Sequence, residues 1–273
     1  MLYFFHFSQG IHEHPANNIV GGVMKKILME LKIKAEHIQS LDWVESVAKG
    51  YSGAGLTFEH LLGKEKDRDG EPDYKGIEIK TKYAKFNQYV ALFHATPNNQ
   101  PLVIKRMQEV YGYPDQDYPQ FKVFNVSIYG NKIISSPNKY KLKIEVNRKL
   151  ELISLVIFDV NDKVIDYSIS WSFDLLREKL EKKFKYLFFI RADRKWDYAS
   201  YKVYFRYTNF KFYMLKDFSS FVDLLEKGDI KITFHIGVVK SGYKFGHIHD
   251  HGTAFEIHQD SLDKLFNNID ELI

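Results

Sequence analysis

At 273 residues, 45% hydrophobic and 27% charged, the chain is long enough to bury a large core without covalent staples. It contains no cysteine, which excludes a disulfide framework, a zinc ribbon, an iron–sulfur cluster and a cysteine nucleophile. Thirty-nine basic against thirty-five acidic residues leave a net charge of +4, which permits nucleic-acid binding without arguing for it. No apolar run approaches the roughly 18–20 residues of a membrane span, and Met1 to Gly10 lacks the basic start of a secretory signal. A cytoplasmic protein with no membrane partner is expected.

The first third reads as helical. Apolar residues Ile19, Val20, Val23, Ile27, Leu28 and Leu31 predict a helix over 15–34. A second is predicted over 37–48, ended by Gly50. A turn at 51–55 precedes a third, over 57–62, with Thr57 as N-cap and Gly63 as stop. The charged stretch 64–73, with Gly70 and Pro72, reads as a loop. Residues 75–83 alternate as a half-buried strand, with Ile77 and Ile79 on one face and Glu78, Lys80 and Lys82 on the other. Residues 88–95 look like its partner strand. Further strands are predicted over 122–128, 139–146, 150–158, 164–170, 186–192, 201–212 and 230–238. Helices are predicted over 100–111, 171–184, 218–226 and, closing the chain, 261–272. This mixture means an α/β or α+β fold on a mixed sheet.

The chemistry gathers between Pro72 and Lys82. A strand's period of two places Glu78 and Lys80 side by side, about 7 Å apart. Asp73 sits just before the strand, so two carboxylates and an ammonium would converge at one sheet edge. Mg²⁺ takes oxygen ligands, and Asp73, Glu78 and the backbone carbonyl of Ile79 could supply three. Such an ion lowers the pKa of bound water and offsets phosphate charge, while Lys80 can orient that water. The bland alternative is a solvated edge strand. Near the C-terminus, His247, His249 and His251 would share one strand face. They suit a transition-metal site, a turn closed by Asp250 before Gly252, or DNA contact. The run is one residue short of the His-x-His-x-Asp-His of metallo-β-lactamase-like hydrolases. His12 and His14 read as surface residues.

Gly55-Leu56-Thr57-Phe58-Glu59-His60-Leu61-Leu62-Gly63, followed by Pro72-Asp73-Tyr74-Lys75-Gly76-Ile77-Glu78-Ile79-Lys80-Thr81-Lys82, resembles the catalytic signature of the MvaI/BcnI type II restriction endonucleases. These are relatives of the mismatch-repair nicking enzyme MutH within the PD-(D/E)xK nuclease superfamily. A second resemblance lies in His249-Asp250-His251-Gly252-Thr253-Ala254-Phe255. The resemblance implies a restriction-endonuclease-like α/β fold: a mixed sheet flanked by helices, in two lobes around a DNA cleft. Residues 1–135 would form mainly the catalytic lobe and 136–273 mainly the recognition lobe, with segments exchanged between them. Asp73, Glu78 and Lys80 match the catalytic triad, and Glu59 the helical carboxylate that completes it. Mg²⁺ would be held by Asp73, Glu78 and Ile79. Lys82, His235, His249, His251, Thr253 and Glu256 would face double-stranded DNA. The enzyme would act as a monomer, with a cognate DNA methyltransferase as companion.

Two positions depart from the family pattern. Glu256 stands where an Arg often follows the motif's Phe, and Thr233-Phe234-His235-Ile236-Gly237 stands where an Asp-x-Arg pair is common. A different recognition sequence is the simplest consequence, because Glu accepts from cytosine or adenine amino groups where Arg grips guanine. Arg191, Arg194, Lys195, Lys202, Arg206, Lys240 and Lys244 are candidate phosphate contacts. Three rival readings stay open: a MutH-like repair nickase, a catalytically silent DNA-binding protein and a histidine-based metal hydrolase.

Overall fold

Leu28, Leu31, Ala35 and Ile38 form one buried stripe, and the helix they drive, α1 (Gly22–Ser40), is a single element. The computed structural model describes residues 20–48, 50, 52–64, 70–83, 88–98 and 102–273. Residues 15–19 of the predicted first helix, and His12 and His14, lie outside these. The helix predicted over 37–48 does not form. No breaker separates Lys34 from His37, so α1 runs through to Ser40. Asp42 then takes a left-handed conformation (φ 55°) and the chain enters β1 (Val44–Glu45). α2 (Gly53–Leu61) starts earlier than predicted, so Thr57 lies inside the helix rather than capping it. Its hydroxyl accepts from the Val47 N–H at 3.1 Å instead.

The chain continues through β2 (Ile77–Tyr83), β3 (Tyr89–His94), α3 (Leu102–Glu109), β4 (Tyr113–Pro114) and β5 (Lys122–Ile128). A four-strand meander follows: β6 (Ile134–Ser135), β7 (Lys141–Asn147), β8 (Leu152–Phe158) and β9 (Val164–Ser172). Ser172 caps α4 (Phe173–Phe184) by accepting from the Leu175 N–H. Then come the long hairpin β10 (Tyr186–Asp197) and β11 (Lys202–Leu215), and α5 (Phe218–Lys227). The remaining strands and α-helix are β12 (Ile230–Val238), β13 (Ile248–Asp250), β14 (Ala254–His258), α6 (Leu262–Leu265) and β15 (Phe266–Asn268), with single 3-10 turns at Gln259–Ser261 and Asp270–Leu272.

These strands build three sheets. The first runs β1-β11-β10-β2, with β15 also on β11; β2 and β10 are parallel and the other pairs antiparallel. The second runs β3-β14-β12-β5-β4, with β13 on β12. The third is β6-β7-β8-β9. β3 is therefore not the partner of β2, as its position in sequence suggested. It pairs with β14, and β2 lies at a sheet edge beside β10, with Glu78, Lys80 and Lys82 opposite Leu187, Phe189 and Arg191. The closing helix predicted over 261–272 is also absent as one element. Phe266–Asn268 adds to β11, and the Asp270 carboxylate accepts from the Phe212 N–H at 2.6 Å.

The halves of the chain interleave. The first sheet takes β10 and β11 from beyond residue 135, and the second takes β3 and β5 from before it. One core packs α1 and α2 against the first sheet, where Phe58 stacks on Phe188 at 5.7 Å and meets Tyr207 at 5.0 Å. The other joins the second and third sheets with α3, α4 and α5, around a fully buried Trp171 whose indole N–H donates to the Ala95 carbonyl.

Candidate active site

A tight turn sets the first carboxylate. Tyr74 and Ile77 exchange backbone hydrogen bonds (2.9 and 2.8 Å) around Lys75 (φ 45°) and Gly76 (φ 88°). Two left-handed residues in succession are the mark of a type I′ turn. α1 holds it from outside: Glu30 accepts from the Lys75 ammonium and the Tyr74 hydroxyl, both at 2.6 Å. The Lys75 and Tyr74 bonds lower the Glu30 pKa to about 2. The turn brings Asp73 back to the free edge of β2, where its Oδ2 accepts from the Ile79 N–H at 3.0 Å. The N–H and C=O of one strand residue point to the same edge, so the Ile79 carbonyl also faces this side rather than the β10 ladder.

Four charged groups predicted from sequence come together here, with two that were not. Lys64 Nζ lies 2.7 Å from Asp73 Oδ1 and 3.5 Å from Glu59 Oε2, bridging the helix α2 to the turn. Glu78 is wholly buried, not on a solvated face. Its Oε1 meets Lys80 Nζ at 2.7 Å and Lys183 Nζ, from α4, at 3.3 Å. Burial raises the Asp73 pKa, but the Lys64 ammonium and the Ile79 N–H outweigh it and hold the carboxyl below its ordinary value. Burial pushes Glu78 up, and Asp73 adds to this against the pull of Lys80. Glu59 is raised for the same first reason, with Asp73 second. Neither Lys64 nor Lys183 carries a motif. One sits in a charged run after a helix, the other on an ordinary amphipathic helix.

The donor set suits a hard divalent cation. Every group is an oxygen, and Glu78 Oε2 is buried without a hydrogen-bond partner. With Lys64 between Glu59 and Asp73, however, no three carboxylates or imidazoles among the described residues are closed around a common point. The same holds at the histidines, so a transition-metal site there finds no support in the geometry.

The expected DNA-facing residues divide. Lys82 is half-buried and its pKa is lowered by burial, opposed by Glu256 and reinforced by Lys80 and Lys231. His235, on β12, is half-buried and pushed down by burial; Glu256 opposes this and His251 adds to it. His249 and His251 are exposed, their rings perpendicular at 4.1 Å. His94, not singled out from sequence, joins this group, its ring packed against Gly252. Thr253 and Glu256, by contrast, lie in the interior. β14 is an inner strand between β3 and β12, and the Glu256 carboxylate accepts from Thr233 Oγ1 at 2.6 Å and pairs with Lys231 at 3.2 Å. Both contacts fall on Oε2. Of the basic residues named as phosphate contacts, Lys202 pairs with Glu45, Arg206 with Asp193, and Lys240 with Asp115 and Asp117.

The fold has known counterparts. The chain is 33% identical to restriction endonuclease MvaI in complex with its cognate DNA substrate. The match has a TM-score of 0.81 and covers 89% of this chain and 98% of that one. Against MvaI in the absence of DNA the identity is 31% and the TM-score 0.58, over 89% and 97% of the two chains. No curated protein sequence matches. The model of the MvaI/BcnI restriction endonuclease family matches residues 32–266, which take in every signature residue from Glu59 to Glu256. The chain belongs to the MvaI/BcnI restriction endonuclease family and is a type II restriction endonuclease, a site-specific deoxyribonuclease.

Proposed function

We propose that the enzyme hydrolyses phosphodiester bonds of double-stranded DNA with Mg²⁺ as cofactor and Glu59, Asp73, Glu78 and Lys80 as its catalytic residues. The observation that carries this is a fully buried Glu78, with one orphaned carboxylate oxygen, between Lys80 and the edge that holds Asp73. Asp73, Glu78 and the Ile79 carbonyl would hold the ion, with Glu59 alongside. When bound, the ion supplies an acidified water and charge neutralisation at the scissile phosphate. Asp73 is kept ionised by Lys64 and the Ile79 N–H. Lys80 orients the attacking water and meets the negative charge that develops on the phosphate. Lys82, His235, His249 and His251 would face the DNA in a cleft between the two larger sheets. The buried Glu256–Thr233 pair would hold that face in shape. The enzyme would work as a cytoplasmic monomer beside a cognate methyltransferase that protects the host's own sites. Among the described residues no helix is long and apolar enough to cross a membrane.

Digestion of a long, sequence-diverse unmethylated DNA tests this reading. Discrete fragments are expected with Mg²⁺ and none with a chelator, and sequencing their ends gives the site. Equal cutting in the chelator would sink the metal assignment.

A further inference from the structure

Helix α4 brings lysines to the active site that no part of the signature contains. Lys179 and Lys183 are four residues apart, so they lie on one face of the helix, flanking the buried Leu176, Leu180 and Phe184. Both are half-buried. With Lys182 from the same helix, Lys80 from β2 and His94 from β3, they line a cavity of about 480 Å³, where Glu178 is the one carboxylate among the described residues. Lys183 shares Glu78 Oε1 with Lys80, and Lys182 pairs with Glu71 at 2.8 Å. Lys179 makes no ion pair among the described residues.

Like charges at i and i+4 destabilise a helix, and half-burying them beside a third ammonium adds to the cost. The buried Glu78 accounts for Lys80 and Lys183, but no ion pair among the described residues accounts for Lys179 in the same concavity. An anion filling it does, and the cavity opens beside the groups that act on the scissile bond. We propose that it is a phosphate site, in which Lys179 and Lys183 hold a DNA backbone phosphate next to the one that is cleaved. Its ligand class is the nucleic-acid phosphodiester, bound without regard to base sequence. The inference rests on the assignment of Glu78 and Lys80 to the catalytic centre.

Binding of a random-sequence DNA duplex, measured without divalent ions over a salt series, tests it. Each phosphate contact contributes about 0.9 to the slope of log K against log salt. Lys179→Ala should lower the slope by about that amount, and Lys183→Ala likewise, while Lys183→Arg restores it. Lys179→Ala makes the decision if Lys183→Ala fails to fold, because it breaks no ion pair. A folded Lys179→Ala with an unchanged slope overturns the phosphate site. Lys80→Ala is scored for cleavage in parallel. If it still cuts, the catalytic reading has failed. If it does not cut and the Lys179→Ala slope is unchanged, the phosphate site alone has failed.

Discussion

Glu78 is a carboxylate with no exposed surface, which burial alone would drive towards the neutral acid. Two ammoniums on one of its oxygens oppose that drive. The spacing of Asp73, Glu78 and Lys80 was legible in the sequence because a strand's period puts neighbours on one face. Lys64 and Lys183 were not, because their partners come from elements whose meeting only the fold decides. A second charged cluster gathers around Asp166 and bears on acid stability. Asp166 accepts from the Tyr111 hydroxyl (2.7 Å) and from the N–H and hydroxyl of Ser168 (3.0 and 2.8 Å), and pairs with Arg106. Burial raises its pKa, but the Ser168 and Tyr111 bonds and Arg106 together hold it below the ordinary value. A carboxylate whose folded pKa is depressed stabilises the fold fully above its unfolded pKa of about 3.9, and loses that contribution as pH falls through the folded value. Asp166→Asn should therefore flatten the loss of stability below about pH 4, and Asp166→Ala should cost about 3 kcal/mol at pH 7. Urea unfolding at pH 3 and pH 7 measures both, and an acid limb as steep as wild type in Asp166→Asn would refute the assignment.

At the scale of elements, the turn before β2 does the positioning. Gly76 has φ 88°, a conformation that an L-residue adopts only at a cost of roughly 1–2 kcal/mol. Gly76→Ala should lower the melting temperature by a few degrees, and should lower cleavage by more than that loss of folded protein explains, because Asp73 moves with the turn. Thermal unfolding and single-turnover cleavage on one preparation separate the two effects; a wild-type cleavage rate would show that the turn does not set Asp73. Alternation located most strands to within a few residues, since a period of two survives in the sequence. Pairing was not legible. Nothing in residues 88–95 says that they belong beside β14 and not β2, because period fixes which face is buried and not which strand lies alongside. The last turn failed for a related reason: Leu262 and Leu265 have helical spacing, yet Phe266 to Asn268 gain more from the open edge of β11.

Across the whole molecule, the two larger sheets are each assembled from both halves of the chain, so neither half holds the site alone. Glu59 comes from α2, Asp73 from the turn, Glu78 and Lys80 from β2, and Lys183 from a helix a hundred residues further on. The fold sets β2 beside β10 and brings Lys82 within the electrostatic reach of both Glu256 and Lys231. The central claim is that this assembly cuts DNA through Asp73, Glu78 and Lys80. The most direct measurement is single-turnover cleavage of unmethylated DNA in Mg²⁺ by Asp73→Asn, Glu78→Gln and Lys80→Ala, each shown to be folded and to bind DNA. The account predicts a loss of at least about 10²-fold in each. Cleavage at the wild-type rate by any one of the three would contradict it.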